Sequence, residues 1–273
     1  MINDSIETKT DIKNFNYVSD TLAVMIVSCD LYSDVWKPFF TLFFKYWNNC
    51  PFPLYLTANF LQYPDSRVIT INLENEENWS SSLISALKKI NENYVIIILE
   101  DFLITHYVDT EQIEELWQYM MEKNAACLRI FPCPGPDKIC RDNPNVGVIA
   151  KGAPYRSSTM VAIWDKEILL SLLQKGETAW EFELKGTKRT YNIDRPFLSV
   201  ITDNDSPIQY ICTAITRGKW MPEVPDFFKK EGIHMDFSQR GLWKWYNNYI
   251  YRLKVWYQNR IKTGKNIYHL IFK

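Results

Sequence analysis

Two groups of carboxylates in this sequence have types and spacing that could do chemistry. Leu99-Glu100-Asp101-Phe102 sets two adjacent acids directly after the apolar run Tyr94 to Leu99 (YVIIIL). Taking such a pair out of water is costly unless something cationic meets it. A hard divalent ion, Mg²⁺ or Mn²⁺, that also takes the oxygens of a substrate diphosphate is one such partner. The alternative is a turn capped by Asp101 with Glu100 in water. The second group is Glu177-Thr178-Ala179-Trp180-Glu181-Phe182-Glu183. Glu181 and Glu183 alternate with Trp180 and Phe182, so an extended chain would carry both glutamates on one face. A carboxyl group beside aromatic surface can have its pKa raised into the range of a general base. The alternative here is an amphipathic edge with solvated glutamates.

The elements around these residues must position them. Leu22 to Ser28 (LAVMIVS) is a continuous apolar, β-branched run suited to a strand buried on both faces, and it ends at Cys29-Asp30. From Asp34 to Trp47 apolar residues recur at helical spacing, with Pro38 in the first turns where a missing N–H does little harm. Pro53 to Ala58 and Arg67 to Ile71 read as strands, and Trp79 to Ile90 as a helix capped by Asn78 or Ser80. Tyr94 to Leu99 is the most hydrophobic strand; a helix over Thr110 to Asn124 and a short strand over Cys127 to Phe131 follow it. Strands alternating with helices predict an α/β fold, an open, mostly parallel sheet with helices on both faces. Ligands of such sheets sit at the carboxyl ends of the strands. Asp30 and Glu100-Asp101 fall at those ends.

Beyond Pro132 the pattern loosens. Pro132 to Asn145 is rich in proline and reads as a long loop, placed to act as a lid over the site. Val146 to Ala150, Met160 to Trp164 and Ile208 to Ile215 read as later strands and Lys166 to Gln174 as a short helix. The expected organisation is a leader over 1–20, a catalytic domain over 21–236 and a basic, aromatic tail over 237–273. The domain divides into a nucleotide-binding half to about residue 131 and a less regular, substrate-shaping half beyond it.

The 273 residues are 47% hydrophobic and 15% aromatic with only 9 glycines, which excludes disorder and collagen-like repeats. The six cysteines form no Cys-x-x-Cys pair and the three histidines lie far apart, so no zinc-like spacing exists and the thiols are expected reduced, in cytosol. Neither a secretory signal nor an apolar run near the ~20 residues of a membrane span is present. The net charge of −1 conceals an asymmetry. Eight of the 31 basic residues and none of the 32 acidic ones lie in 237–273, which leaves 23 against 32, a net −9, on the remainder. From Leu242 onward, Trp243, Trp245, Tyr246, Tyr249, Ile250, Leu253, Trp256, Tyr257 and Ile261 fall in one arc at 100° per residue, opposite a largely basic and polar face. Such a helix suits an anionic membrane surface. The alternative is packing on the body or on a second copy in a homo-oligomer. No nucleic-acid recognition motif accompanies the basic residues.

Several motifs, taken in order, resemble bacterial glycosyltransferases of GT-A fold encoded in surface-polysaccharide (capsule and O-antigen) loci. They are Ser28 to Phe40, Asn78-Trp79-Ser80, Leu99 to Phe102, Tyr155-Arg156-Ser157-Ser158, Ile163-Trp164 and Trp180 to Glu183. The resemblance covers about residues 22–190. It implies that Ser28, Cys29 and Asp30 with Tyr32 hold the base and ribose of a nucleotide sugar, with Trp79 and Ser80 near the same nucleotide. Glu100 and Asp101 stand where such enzymes keep Asp-x-Asp, which implies Mn²⁺ or Mg²⁺ on the diphosphate. Because Phe102 and Leu103 follow, the second aspartate of that motif is missing, and Lys188 or Arg189 is the alternative partner of the leaving diphosphate. Trp180 to Glu183 resembles the segment that bears the base of inverting members, so Glu181 or Glu183 is the expected base. Tyr155, Arg156, Trp164 and Trp180 are the expected acceptor contacts. The implied activity is an inverting transfer from a nucleotide sugar to a lipid-linked saccharide, at the cytoplasmic face of a membrane. The alternatives are a nucleotidyltransferase, for which no glycine-rich phosphate loop stands near the first strand, and a non-catalytic scaffold of a polysaccharide-assembly complex.

Overall fold

The computed structural model describes residues 21–74 and 78–244. Along the chain come β1 (Leu22–Val27), α1 (Ser33–Tyr46), β2 (Leu54–Ala58), β3 (Ile69–Asn72), α2 (Trp79–Leu87), β4 (Tyr94–Leu99), β5 (Leu103–Ile104), α3 (Thr110–Glu122) and β6 (Cys127–Arg129). Then follow β7 (Lys138–Ile139), β8 (Val146–Val148), β9 (Ala162–Asp165) and α4 (Lys166–Leu172). A helical stretch composed of α5 (Ala179–Glu181), a π-turn (Phe182–Gly186) and α6 (Thr187–Arg189) comes next. The last elements are β10 (Phe197–Val200), β11 (Tyr210–Ile211), β12 (Ile215–Thr216), β13 (Lys219–Trp220) and α7 (Val224–Lys230).

Nine strands form one open sheet in the order β3-β2-β1-β4-β9-β6-β10-β8-β7. β8 and β9 run against the other seven, so the sheet is mixed and mostly parallel. β4 explains why the centre is buried on both faces. Its Ile96 and Ile98 join the core beneath α1 and α3, while Val95 and Ile97 join the core beneath α2 and α4. Each fully buried side chain of this size stabilises by about 1.5–3 kcal/mol. The helices start where short polar side chains satisfy their first N–H groups. Asn78 accepts from Ser81 N–H, Asp109 from Gln112 N–H and Asp165 from Ile168 N–H. This is the α/β class, with helices on both faces, that the sequence predicts.

β2 and β3 lie on one side of β1, and the chain then returns through α2 to its other side as β4. The strand order therefore switches between β1 and β4, the place where open α/β sheets form a ligand crevice outside their carboxyl ends. β9 enters the sheet at that same edge, since Ala162 pairs with Ile97 near the end of β4.

Two expectations are corrected. Pro132 to Asn145 is no lid, because Lys138 and Ile139 pair with Val148 and Gly147 and build the far edge of the sheet. Gly147 is required there, as a Cβ on it would stand 2.6 Å from the Pro136 ring. Ile208 to Ile215 is not one strand. β11 pairs with β5, the chain bends at Cys212 to Ala214, and β12 pairs with β13.

The packed body continues past residue 236. Phe237 lies 5.7 Å from the Trp220 ring and 6.0 Å from that of Phe228, and Leu242 bridges to Trp220. The leader over 1–20 and the tail arc from Trp245 onward lie outside the described residues. Among the described residues no helix is long and apolar enough to cross a membrane.

Candidate active site at the carboxyl edge of the sheet

The turn after β1 is built by hydrogen bonds that use up two of the expected ligands. Ser28 N–H donates to Thr57 Oγ1 at 2.8 Å, and Ser28 Oγ accepts from the Trp36 indole at 2.7 Å. The Asp30 carboxylate accepts from the backbone N–H groups of Asn59 (2.9 Å), Phe60 (3.0 Å) and Leu61 (3.2 Å), clamping the loop after β2. Cys29 and Tyr32 remain half-buried beside the crevice. The Tyr32 ring carries the Arg240 guanidinium at 4.5 Å.

Glu100 and Asp101 leave β4 at the switch point. Burial, then the neighbouring Asp101 charge, pushes the Glu100 carboxyl up to about 8, opposed by Arg240. Burial pushes Asp101 up to about 6, although Ile215 N–H at 3.4 Å favours its charged form. No cation lies within ion-pair distance of either acid among the described residues. Two adjacent carboxylates of raised proton affinity fit part of the oxygen shell of a hard divalent ion. No three His, Cys, Asp or Glu side chains gather for a metal among the described residues, so further oxygens would have to come from a ligand or water.

From Asp101 a run of packed side chains leads through the core to the second carboxylate group. Phe102 stacks on Tyr210 at 4.9 Å, and the Tyr210 hydroxyl meets Val161 N–H (3.3 Å) and Met160 Sδ (3.7 Å). The neighbouring Ser158 and Thr159 hold Glu183. Its Oε1 accepts from Thr159 N–H (2.8 Å), Thr159 Oγ1 (2.9 Å) and Ser158 Oγ (3.2 Å), and the residue is 8% exposed.

No protein-family model matches the chain, and no curated protein does. Among solved structures it is similar to residues 1–349 of S. aureus TarS, with 12% identity over 71% of this chain and 60% of that one, at a TM-score of 0.48. The same protein in complex with UDP-GlcNAc gives 10% identity over 70% and 57%, at 0.44. The bifunctional IspDF from Campylobacter jejuni gives 10% over 71% and 53%, at 0.41. The chain thus spans less than two thirds of each of these structures.

The segment bearing Glu181 and Glu183 is helical, which corrects the extended reading. Thr178 closes a capping box with Glu181, accepting from its N–H while Glu181 Oε2 accepts from Thr178 N–H at 3.0 Å. The π-turn that follows, a feature frequent at functional sites, carries Phe182 into the core (1% exposed) and Glu183 to Ser158 and Thr159. Glu181 stays at the surface, where Lys185 at 2.8 Å, aided by Thr178, lowers its carboxyl to about 2. A carboxylate so stabilised in its charged form is a poor general base.

Other expected ligands serve packing. Arg189 makes a bidentate pair with Glu177 (2.9 and 2.6 Å) and donates to Leu172 O, so it is not a free partner for a diphosphate. Arg156, 3% exposed, donates to Thr190 O and lies over the Phe197 ring. Trp164, 2% exposed, packs on Phe182 and Phe197, out of reach of a sugar. Ser80 is fully buried, donating to Gln174 O and accepting from Glu177 N–H. Trp79 packs on Phe182, and its buried indole N–H has no partner among the described residues. Tyr155 and Trp180 stay accessible and lie 6.1 Å apart, Trp180 being 61% exposed.

Two arginines escaped the sequence reading. Arg129, 2% exposed at the end of β6, donates to Tyr155 O at 2.7 Å and to Pro134 O, fixing the loop that presents Tyr155. Its position inside an apolar strand (Cys127-Leu128-Arg129) was the available signal. Arg240 was counted only as tail charge.

Proposed function

We propose that this chain is an inverting glycosyltransferase that takes its sugar from a nucleotide sugar. The observation that carries the reading is the acidic pair Glu100-Asp101, without a close ion-pair partner among the described residues at the β1/β4 switch point and linked through Phe102, Tyr210 and Met160 to the held carboxylate of Glu183. The nucleotide lies against Cys29 and Tyr32 with its diphosphate toward Glu100 and Asp101. These two acids would hold a Mn²⁺ or Mg²⁺, which when bound supplies positive charge against the diphosphate.

Glu183 is the base. Its hydrogen bonds from Ser158 and Thr159 orient it, and Oε2, which takes none of them, receives the proton of an acceptor hydroxyl. The freed oxygen electron pair forms the new bond to the anomeric carbon as the bond to the nucleoside diphosphate breaks on the opposite face. That single displacement inverts the centre. Tyr155 and Trp180 offer the acceptor an aromatic rim. The basic tail would bring the molecule to an anionic membrane, where a lipid-linked saccharide is met.

Calorimetric titration with nucleoside diphosphates and nucleotide sugars, with and without Mn²⁺, tests the reading. Binding of at least one nucleotide sugar, lost in Asp101→Asn, is expected. Binding of none would leave the scaffold reading. Turnover of a nucleoside triphosphate instead would favour a nucleotidyltransferase. For the tail, the full chain should sediment with anionic vesicles and a chain ending at Lys244 should not. Equal sedimentation would remove the membrane assignment.

A further inference from the structure

The turn between β1 and α1 is pinned at Ser28 and Asp30, but its later residues lack side-chain caps. Neither the 3₁₀ turn Asp30–Tyr32 nor the start of α1 has a side-chain cap hydrogen bond. Beyond Asp30 the restraint comes from Arg240, which lies after α7. Its Nε and Nη2 grip the two Asp34 carboxylate oxygens at 2.7 and 2.5 Å, and Nη2 also donates to Leu31 O at 2.6 Å. The guanidinium plane covers the Tyr32 ring. One side chain thus fixes Leu31, Tyr32 and Asp34 together. The arginine is itself anchored, since Gly241 N–H donates to Phe237 O, Trp220 N–H to Gly241 O and Trp243 N–H to Trp220 O. Its side chain is 13% exposed.

We propose that Arg240 is a positioning residue of the nucleotide end of the crevice, preforming the Cys29–Tyr32 turn and the Tyr32 ring for a nucleoside diphosphate. The inference rests on the nucleotide reading above. A turn held in advance does not have to be ordered when the ligand arrives, and that ordering is a cost paid out of affinity. Both the planar fork and the flat face are needed to hold a carboxylate, a carbonyl and a ring at once, and lysine supplies neither.

The test uses the full chain and a panel of UDP, GDP, ADP, CDP and TDP, with affinity from calorimetry and melting temperature measured in parallel. Arg240→Gln and Arg240→Lys should each weaken the best nucleotide about tenfold. Asp34→Asn should do the same, and the Asp34→Asn/Arg240→Gln double variant should fall no further, because the two residues act as a unit. A purely structural role would lower the melting temperature of all four and leave their affinities unchanged, which would overturn the inference, as would a lysine variant that binds like the unsubstituted protein. Absence of binding by the unsubstituted chain would instead overturn the nucleotide reading, and this inference with it.

Discussion

Glu100 and Asp101 follow a buried strand and meet no ion-pair partner, whereas Glu181, on a helical turn, is held by Lys185 and by the cap of Thr178. The first pair has its carboxyls pushed up to about 8 and about 6, while Glu181 is drawn down to about 2. Glu183, two residues on, is buried with hydrogen bonds on one oxygen. Burial without a partner raises a carboxyl and a salt bridge lowers it. The difference teaches where unspent chemistry lies. Glu181 has already been given its cation and its hydrogen bonds, so it adds to helix structure; Glu100, Asp101 and Glu183 have no close ion pair among the described residues.

The largest expected effect separates the two glutamates. Glu183→Gln should lower turnover by roughly 10²- to 10⁴-fold with nucleotide binding kept, while Glu181→Gln should stay within about threefold. Equal losses in steady-state kinetics would break the distinction. Next, Mn²⁺ affinity should rise with pH between about 5.5 and 8.5 as Asp101 and then Glu100 give up their protons, and Asp101→Asn should weaken it by at least about 10-fold. A flat titration by calorimetry would show that the pair is not the site. Third, Gly186→Ala would place a Cβ 3.0 Å from Ser157 Oγ and 3.1 Å from the Phe182 ring. The Ser157 hydroxyl and the tightly packed Phe182 ring must give by a few tenths of an ångström to admit it, at a cost of about 1–3 kcal/mol by denaturant unfolding. An unchanged midpoint would mean that Glu183 is less tightly held than described.

The last effect concerns how stability depends on pH. Glu100 binds its proton more tightly in the folded chain, at about 8, than at its ordinary value of 4.5. Its contribution is therefore fully present below 4.5 and is lost as pH rises toward 8. Glu100→Gln should flatten that decline in melting temperature, making the variant relatively more stable at pH 8 than at pH 5. The opposite sign would mean that a cation already compensates the acid.

Much of this was legible in the sequence where local pattern decides. The run YVIIIL marks β4 to the residue, because a central strand covered by helices on both faces needs apolar side chains on both. Asn78 announces α2 because a cap is a local hydrogen bond. The acids at the strand ends pointed to the carboxyl edge. What failed was a period read over too short a span. Trp180 to Glu183 alternates like a strand, yet Thr178 and Glu181 already spell a capping box, and the helix that it starts sends Phe182 and Glu183 inward. Arg156, Trp164 and Arg189 looked available because the carbonyls, rings and carboxylate that absorb them are distant or irregular in sequence. Arg240 was invisible for the same reason, as Asp34 stands 206 positions away.

That separation also sets an order of events. A ribosome delivers the chain from its amino end, and contacts between remote positions form late because long loops must close first. The strands that display Glu100 and Asp101 are complete many residues before Arg240 exists. A nascent chain paused before that point carries the acids of the crevice while Leu31, Tyr32 and Asp34 still lack the arginine that joins them. Competence for ligand should therefore arrive with the last stretch of the body and not with the sheet.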